Sequence, residues 1–380
     1  MSDRFAIERV PGKEGADMIL ILLLILLSGL GLAALFSASY HNAVIFRDDP
    51  FYFLKKQLMF LAVGTAGFFV ASRISLDWIR RNLPVFLLLT LLLNLATFVP
   101  GIGRKTLGAT RWLYFGGFSF QPSELSKLVL IFYLSSIFAK KEGRMHDTVN
   151  SVVPPLLVTG VFVALIFFQN DFSTALFLFL LSLIIFFIAN VRMIYFILIT
   201  VFTVPLAGIM LFTKEHRVER LITFLEPDLD PTGTGYQIIA SQSALRNGGL
   251  WGAGLGRGLK KMGALPEVHS DFVFASLGEE IGFLGIFLVI VLFLLFAFRG
   301  YLVSLSCRDR FGYYLGFGLT TAILYQALFN MAVVVGLVPA TGIPLPFFSA
   351  GGTSLLVCFV MTGLLVNLSR NRGSGSGEVL

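Results

Sequence analysis

Apolar runs long enough to cross a bilayer recur along almost the whole chain. A membrane-spanning helix needs about 20 consecutive apolar residues, and ten such runs are separated here by polar breaks. They cover residues 18–38, 58–72, 83–99, 124–139, 152–169, 172–190, 194–212, 272–298, 313–338 and 345–368. With 56% hydrophobic and 13% charged residues and a mean hydropathy of +0.84, the composition excludes a water-soluble domain. The chain is therefore predicted to be an all-α polytopic membrane protein with ten transmembrane helices.

Lys and Arg residues are distributed unequally between alternate loops. If the N-terminus is cytoplasmic, the inner termini and loops hold fifteen of them and the short outer loops hold six. Positive charge is retained on the cytoplasmic side, whereas long loops cross the membrane largely regardless of charge. Both termini are therefore predicted to be cytoplasmic, with residues 371–380 as a flexible tail. The long loop 213–271, between the seventh and eighth helices, is predicted to be extracytoplasmic.

Cysteine usage and charge patterning exclude two classes of function. Cys307 lies in a short basic loop and Cys358 in an apolar run, so neither a disulfide framework nor a cysteine metal site is indicated. The net charge of +7 comes from basic residues spread over short loops, whereas a nucleic-acid-binding face gathers them in one stripe. We expect no nucleic acid partner.

The outer loops combine charged residues with glycines and aromatic residues. Their charged side chains of interest, in segments 100–127 and 214–261, are Arg104, Lys105, Arg111, Glu124, Lys127, Lys214, Arg217, Arg220, Arg246, Arg257, Lys260 and Lys261. Arg and Lys pair with phosphate and aromatic residues sit at head-group depth, so this surface suits a phosphorylated lipid head group. The alternative is that each charge only anchors a helix at the interface. The glycine-rich stretch 248–258 lacks the spacing of a nucleotide-binding loop.

The stretch ALPEVHSDFVFASLGEE, residues 264–280, places five ionisable groups at the start of the eighth apolar segment. A charge beside hydrocarbon is costly unless it is paired, solvated or used, so the cluster indicates a functional site. The alternative for Asp271 is a helix N-cap, because a carboxylate there accepts hydrogen bonds from unpaired N–H groups. Glu279 and Glu280 are expected to organise packing or to pair with a cation, and Gly278 and Gly282 to form a helix contact.

Several long motifs resemble those of the SEDS family (shape, elongation, division, sporulation). They are GATRW at 108–112, QPSELSK at 121–127, Arg217 with RLITFLEPDLDPTGTGYQ at 220–237, GGLWGAGLG at 248–256, LPEVHSDFVFASLGEEIGFLG at 265–285 and GIPLPFFSAGG at 342–352. The resemblance extends from Ser37 to Asn367. DDPFYFLKKQ at 48–57, Gly235-Tyr236-Gln237 and the position of Lys261 are similar to the division branch of the family rather than to its elongation branch.

This resemblance implies a fold, an activity and partners. It implies one ten-helix domain over residues 1–380, with substrate-side loops at 100–123 and 213–271. The implied enzyme is an inverting peptidoglycan glycosyltransferase that polymerises lipid II into β-1,4 glycan strands at the outer face of the bacterial cytoplasmic (inner) membrane. Its implied partners are a class B penicillin-binding protein, the undecaprenyl-pyrophosphate-linked glycan and other divisome or elongation membrane proteins. Gly312, Gly316 and Gly318 are predicted to line part of the groove that receives the transpeptidase.

The resemblance also assigns roles to residues. Asp271, in the element His269-Ser270-Asp271-Phe272, is predicted to be the catalytic base that takes the proton from the acceptor 4-hydroxyl. The predicted substrate-binding residues are Arg111, Glu124, Lys127, Arg217, Arg220, Lys261, Glu267 and His269. For Glu124 and Lys127 an ion pair that supports the loop is an equal alternative. No cofactor is implied with certainty, and dependence on a divalent cation, Mg²⁺ or Mn²⁺, is left open.

Three alternative functions are considered. The same chemistry would serve an elongation polymerase of the family. A lipid II flippase would use the same lipid, but alternating access favours polar groups at the midplane and an internal repeat, and no convincing repeat is seen. A structural scaffold would not need a carboxylate and cations that converge on one face. One departure concerns the turn between the fifth and sixth helices, where Asn170 and Ser173 replace the Pro and Gly common in relatives.

Overall fold

The structure is a computed structural model that describes residues 15–106, 109–115, 118–141, 148–212, 215–230, 233–258 and 270–370. Its helices are α1 (Met18–Arg47), α2 (Tyr52–Ala71), α3 (Leu76–Arg81), α4 (Leu83–Ala96), α5 (Pro122–Lys141), α6 (Thr148–Phe168), α7 (Phe172–Ile188), α8 (Met193–Phe212), α9 (Glu215–Leu225), α10 (Thr234–Gly248), α11 (Val273–Leu305), α12 (Arg310–Val334) and α13 (Gly352–Arg370). Three strands, β1 (Gly103–Thr106), β2 (Ala109–Phe115) and β3 (Phe118–Phe120), form one antiparallel sheet in the order β1-β2-β3.

Most of these helices have the length and composition of membrane spans. Seven helices of the described residues are long and apolar enough to cross a bilayer, namely α1, α2, α5, α6, α11, α12 and α13. The shorter apolar helices α4 and α7, and the part Met193–Thr203 of α8, coincide with the remaining predicted spans. The prediction of an all-α polytopic membrane protein is therefore confirmed.

Several predicted spans begin or end at other residues than the helices, among them the end of α1 and the start of α13. Helix α1 continues well past residue 38, to the point where Asp48 adopts a left-handed conformation with φ of 52°. Helix α13 begins later than residue 345, because Phe347 is left-handed (φ 68°) and the Ser349 hydroxyl accepts a 2.8 Å hydrogen bond from the backbone N–H of Leu345. Hydropathy does not locate these ends, because the polar stretch 39–42 lies inside α1 and the apolar stretch 345–348 lies before α13.

The two outer segments predicted as loops contain regular structure. Segment 100–123 forms the three-stranded sheet, and segment 213–271 contains α9 and α10. The strands are only 4, 7 and 3 residues long, too short for an alternating pattern to stand out in the sequence. Both segments therefore offer a defined backbone on which charged side chains can be placed.

Helix α12 runs through the interior of the bundle, and its glycines allow neighbouring helices to approach it. A β-carbon on Gly316 would collide with Ser304 of α11, and one on Gly318 would collide with Ile131 of α5. Gly312 faces Leu368 of α13, and all three glycines are buried. The prediction that they line a groove for a partner is therefore wrong, because their small size serves contacts within the chain.

Helix α11 is broken at Gly282, whose φ of 66° and ψ of −170° lie outside the helical region. The loop after α10 enters this break and completes its hydrogen bonds. The N–H groups of Ala253 and Gly254 donate to the carbonyls of Glu279 and Glu280, at 2.9 and 3.0 Å. On the other side of the break, the N–H groups at 283 and 284 donate to the carbonyls at 249 and 250. A helix break at membrane depth is stable only when the freed backbone groups find such partners.

The predicted helix contact at Gly278 and Gly282 is confirmed for one glycine and wrong for the other. The Gly278 carbonyl lies so close to Gly248 of α10 that a β-carbon on Gly248 would overlap this carbonyl oxygen. Gly282 instead forms the break and lies against the backbone of residues 250–252. Glu279 and Glu280 are buried beside it, and Glu280 Oε1 accepts a 2.6 Å hydrogen bond from the Ser37 hydroxyl of α1. This agrees with the packing role expected for the two glutamates.

The turn between α6 and α7 accommodates the residues that depart from the family pattern. Asn170 adopts a left-handed conformation with φ of 63°, which Asn tolerates better than most residues. Asp171 follows as the N-cap of α7, and its Oδ1 accepts a 3.3 Å hydrogen bond from the backbone N–H of Thr174. The turn therefore forms without Pro and Gly.

Two glycines of the loop that enters the break in α11 are expected to differ in how much their replacement by Ala destabilises the fold. Gly252 and Gly256 have similar positive φ values of 84° and 80°, but a β-carbon on Gly252 would overlap the Glu280 carbonyl whereas one on Gly256 would meet open space. We expect Gly256→Ala to lower the free energy of unfolding by about 1 kcal/mol and Gly252→Ala by at least about 2 kcal/mol more. Thermal unfolding of the two variants in detergent measures this difference, and equal losses would contradict the close approach.

Candidate functional site

The antiparallel sheet directs Arg111 toward the protein interior. Side chains alternate along a strand, so Ala109, Arg111 and Leu113 of β2 share one face. Ala109 and Leu113 are buried, which identifies this face as the inner one. The backbone N–H of Thr110 donates a 3.0 Å hydrogen bond to the carbonyl of Gln169 and ties the strand to the α6–α7 turn. The sheet thus holds the Arg111 guanidinium at a fixed position beside the α6–α7 turn.

Arg111 forms an ion pair with Asp171, the residue that caps α7. The distance between Arg111 Nη1 and Asp171 Oδ2 is 3.2 Å, and the Asp171 side chain is only 2% exposed. Gln121 Nε2 donates to the same oxygen at 3.4 Å. Burial alone would lower the pKa of Arg111, but the carboxylates of Asp171, Asp271 and Glu124 outweigh it and raise this pKa. Arg111 therefore keeps its charge inside the protein.

Asp271 lies directly before α11 and faces the same glycine as Arg111. A β-carbon on Gly342 would be 3.3 Å from Arg111 Nη2 and 3.7 Å from Asp271 Oδ2, so both charged groups border the space that this glycine leaves open. The N-cap position of α11 is occupied by Phe272 rather than by Asp271. The structure therefore argues against the alternative of a helix cap for Asp271.

Glu124 and Lys127 form a buried ion pair one turn into α5. Lys127 Nζ lies 2.7 Å from Glu124 Oε2 and donates to Gln326 Oε1 at 2.7 Å, and both side chains are at most 4% exposed. The ammonium also lies 5.2 Å from the centroid of the Phe177 ring. These contacts favour the supporting role of the pair over direct contact of Lys127 with a substrate phosphate. Glu124 contributes to the site through its charge beside Arg111.

Helix α9 brings Arg220 into the electrostatic field of the site. Desolvation and the like charge of Arg111 lower the pKa of Arg220, while Asp171 and Asp271 act in the opposite direction. Arg220 is on the accessible side of α9, where a ligand can reach it. Arg217 belongs to the same helix, three residues earlier, but its side chain lies outside the described residues. The predicted site residues Lys261, Glu267 and His269 also lie outside them.

Three buried polar atoms around Gly342 lack hydrogen-bond partners within the part of the chain that the structure describes. They are Arg111 Nε, Thr341 Oγ1 and Asn330 Oδ1. Buried polar atoms in proteins are nearly always hydrogen-bonded, so a group of unpaired ones next to two charged residues indicates a place for a polar ligand. The Arg111 Nε–H and the Thr341 hydroxyl can donate to an anion, and this hydroxyl can also accept from a hydroxyl or amide group.

Sequence reasoning missed several residues that build this site. Asp171 of the α6–α7 turn and Gln326 and Asn330 of α12 were not among the predicted site residues. The available signal was the pair of amides, four residues apart, inside an otherwise apolar segment, since polar side chains at membrane depth are commonly functional. As for a metal ion, no group of three or more His, Cys, Asp or Glu side chains among the described residues could hold one.

Comparison with known families and proteins identifies the chain's relatives. The sequence model of the family described as "Cell cycle protein", which comprises FtsW, RodA and SpoVE, matches residues 17–374. The chain is 40% identical to a probable peptidoglycan glycosyltransferase FtsW of Borreliella burgdorferi, over 92% of this chain and 96% of the relative. It is 33% identical to stage V sporulation protein E of Bacillus subtilis, over 94% of this chain and 98% of that protein.

Solved structures show the same fold. A chain from a structure described as "Structural coordination of polymerization and crosslinking by a peptidoglycan synthase complex" aligns with a TM-score of 0.77 and 26% identity, covering 94% of this chain and 99% of its own length. The rod shape determining protein RodA of Thermus thermophilus aligns with a TM-score of 0.68 and 26% identity, over 94% of this chain and 97% of RodA. The family predicted from the motifs is confirmed: the chain belongs to the FtsW, RodA and SpoVE family of cell cycle proteins and is similar to FtsW proteins along nearly its whole length.

Proposed function

We propose that this chain is a peptidoglycan glycosyltransferase that polymerises lipid II into β-1,4 glycan strands during septal wall synthesis. The observation that carries the proposal is the arrangement at Gly342, where the Arg111 guanidinium and the Asp271 carboxylate border one space. A carboxylate can accept a proton from an attacking hydroxyl, and a guanidinium can stabilise a leaving phosphate. The names of the FtsW relatives support the reaction class and the role in division.

The reaction is a single inverting displacement at the anomeric carbon of the growing strand. Asp271 takes the proton of the acceptor 4-hydroxyl while that oxygen forms a bond to the anomeric carbon. The bond from this carbon to the pyrophosphate oxygen breaks, and undecaprenyl pyrophosphate leaves with the electron pair. Because attack and departure occur on opposite faces, the α-linked donor yields a β linkage. Arg111 and Arg220 are placed to stabilise the negative charge that grows on the pyrophosphate.

Asp171 and Lys127 support this arrangement from the interior of the protein. The Asp171 carboxylate fixes one nitrogen of Arg111 at 3.2 Å and leaves Nη2 directed to the space at Gly342. Lys127 and Glu124 neutralise one another in the interior just below, at 2.7 Å. A preorganised cation of this kind stabilises developing charge without first having to move.

The proposed topology has ten membrane spans and cytoplasmic termini in the bacterial inner membrane. The sheet, α9 and α10 then lie on the extracytoplasmic side, where Arg111, Arg220 and Asp271 can meet a lipid-linked sugar. The excess of Lys and Arg in the inner loops supports this orientation. A polymerase serving elongation would have the same site, and the FtsW relatives favour the divisional role.

A class B penicillin-binding protein is the proposed partner. The aligned chain that comes from a peptidoglycan synthase complex supports it. Because the glycines of α12 are engaged inside the bundle, the outward face of α11 is the better candidate for the contact. It exposes Leu294, Leu295 and Phe298 in a row suited to a second transmembrane helix.

Replacement of the proposed base gives the most direct test. We expect Asp271→Asn to lower the rate of lipid II polymerisation by at least about 100-fold, because the amide keeps the shape but cannot accept the proton. Its melting temperature should stay close to that of the parent. Glycan strand formation by the purified protein, alone and with its transpeptidase, measures the rate. Asp309→Asn, which removes an exposed carboxylate before α12, is the matched control, and robust polymerisation by Asp271→Asn would refute the assignment.

Replacement of the α9 arginines tests substrate binding. Lys keeps the charge of Arg but cannot form the bidentate hydrogen bonds that Arg makes to phosphate. We expect Arg217→Lys and Arg220→Lys each to raise KM for lipid II by about 3- to 10-fold, with a smaller effect on kcat. Arg310→Lys, at the opposite end of the bundle, should leave both constants unchanged. An Arg220→Lys enzyme with normal KM and abolished turnover would contradict a binding role.

The partner surface can be tested by co-purification. We expect the double variant Leu295→Ala and Phe298→Ala to reduce recovery of the transpeptidase from membranes by roughly 10-fold, since exposed apolar anchors dominate such contacts. Leu198→Ala with Phe202→Ala removes an equally exposed pair from α8 and serves as control. If the transpeptidase is recovered equally well with the α11 and the α8 double variants, the contact lies on another surface.

A further inference from the structure

Asn330, a buried residue of α12, joins two backbone segments that form the proposed active site. Its Nδ2 donates one hydrogen bond to the backbone carbonyl of Asp271, at 3.0 Å, and another to the carbonyl of Ile343, at 2.9 Å. The primary amide has two hydrogens, and each is used once. One side chain therefore links the residue that carries the carboxylate to the loop that contains Gly342.

A second amide holds the same loop from the preceding turn of α12. Gln326 Nε2 donates to the carbonyl of Pro344 at 2.9 Å and to the Ser354 hydroxyl at 3.1 Å. Residues four apart on a helix lie on one face, so Gln326 and Asn330 form a short ladder against the loop. Gln326 also accepts the hydrogen bond from Lys127. The loop beneath the two charged groups is thus fixed to a helix in the interior of the bundle.

The position of these bonds matters because Gly342 separates the two charged groups. Arg111 reaches it from the sheet, where Asp171 holds the guanidinium. Asp271 reaches it from the start of α11, and Asn330 donates a hydrogen bond to its main-chain carbonyl. The two groups therefore belong to different elements, and their separation depends on how the backbone at 271 is held against the backbone at 343.

We propose that Asn330 is a positioning residue that sets the placement of the Asp271 carboxylate relative to Arg111. The inference rests on the proposed function of Asp271 as the base. Asn330 acts through the main chain of Asp271 and takes no part in proton transfer. A displacement of about 1 Å in a reacting group can cost about 100-fold in rate, so loss of the bridge should affect turnover more than binding.

The chain contains a matched control for this chemistry. Asn367 of α13 is also buried, and its Nδ2 donates to two backbone carbonyls, those of Ala71 at 2.9 Å and Ile74 at 2.6 Å. These partners lie at the end of α2, away from Asp271 and Arg111. Asn330→Ala and Asn367→Ala each remove one buried amide that bridges two carbonyls, so they should destabilise the fold to a similar extent.

The experiment compares the two variants in the full-length protein. Melting temperature, kcat and KM for lipid II polymerisation are measured for each, with rates expressed per folded molecule. We expect Asn330→Ala to lower kcat by about 10- to 100-fold with KM changed by less than about 3-fold. Asn367→Ala should show a similar loss of melting temperature with kcat within about 2-fold of the parent. A purely structural role of Asn330 predicts instead that both variants keep the parent kcat.

The remaining outcomes also decide the question. If Asn330→Ala is not recovered folded, Asn330→Ser, which keeps a small polar side chain but not the double bridge, is measured in the same way and should show the same loss of kcat. Parental kcat in a folded Asn330 variant would overturn the inference. Failure of both Asn330 variants to fold, while Asn367→Ala folds, would assign the amide to folding and also overturn it.

Asp271→Asn in the same assay separates this inference from the proposed function. If Asp271→Asn retains normal turnover, the catalytic assignment itself fails, whatever the Asn330 variants do. If Asp271→Asn is inactive and Asn330→Ala has normal kcat, only the positioning role fails. A loss of kcat in both variants, with normal kcat in Asn367→Ala, supports both assignments.

Discussion

The carboxylate of Asp171 is buried where an isolated charge could not be tolerated, and Arg111 supplies the opposite charge at 3.2 Å. The same pair connects elements that lie far apart in the sequence: a strand of the three-stranded sheet and the cap of α7. Without it, the sheet would lose its charged attachment to the helices and Arg111 would lose the partner that fixes its direction. The carboxylate of Asp271 borders the same space at Gly342 as this guanidinium.

Backbone hydrogen bonding imposes a second constraint on the architecture. Helix α11 is interrupted at Gly282, and the carbonyls and N–H groups released there are taken up by residues 249–254 of the preceding loop. Such an interruption is tolerated at membrane depth only when protein groups replace the lost bonds. The loop after α10 is therefore joined to the helix that begins beside Asp271, so the orientation of that helix and the path of the loop are set together.

Helix α12 combines the roles of packing element and polar support. Its glycines let α5, α11 and α13 approach closely, while Gln326 and Asn330 direct their amides to the loop at 343–344. Both amides are buried, and the bonds they make to backbone carbonyls compensate for their removal from water. The bundle interior therefore has a polar face directly under the charged groups.

The sequence by itself determined the fold class, the approximate spans and the family, because apolar runs of bilayer length and long motifs are local patterns that need no knowledge of neighbours in space. It also indicated Asp271 and Arg111, since ionisable residues beside apolar segments are costly and therefore conspicuous. It did not determine the helix ends at Asp48 and Gly352, where residues 39–42 are polar inside α1 and residues 345–348 are apolar before α13. It also did not determine the sheet, whose strands are short, or the break at Gly282, which depends on hydrogen bonds with residues 249–254. Only the tertiary structure decided that Asp171 pairs with Arg111, that Lys127 is engaged in the interior and that Asn330 holds Asp271, because each of these contacts joins residues from different helices or strands whose meeting depends on how the whole bundle packs.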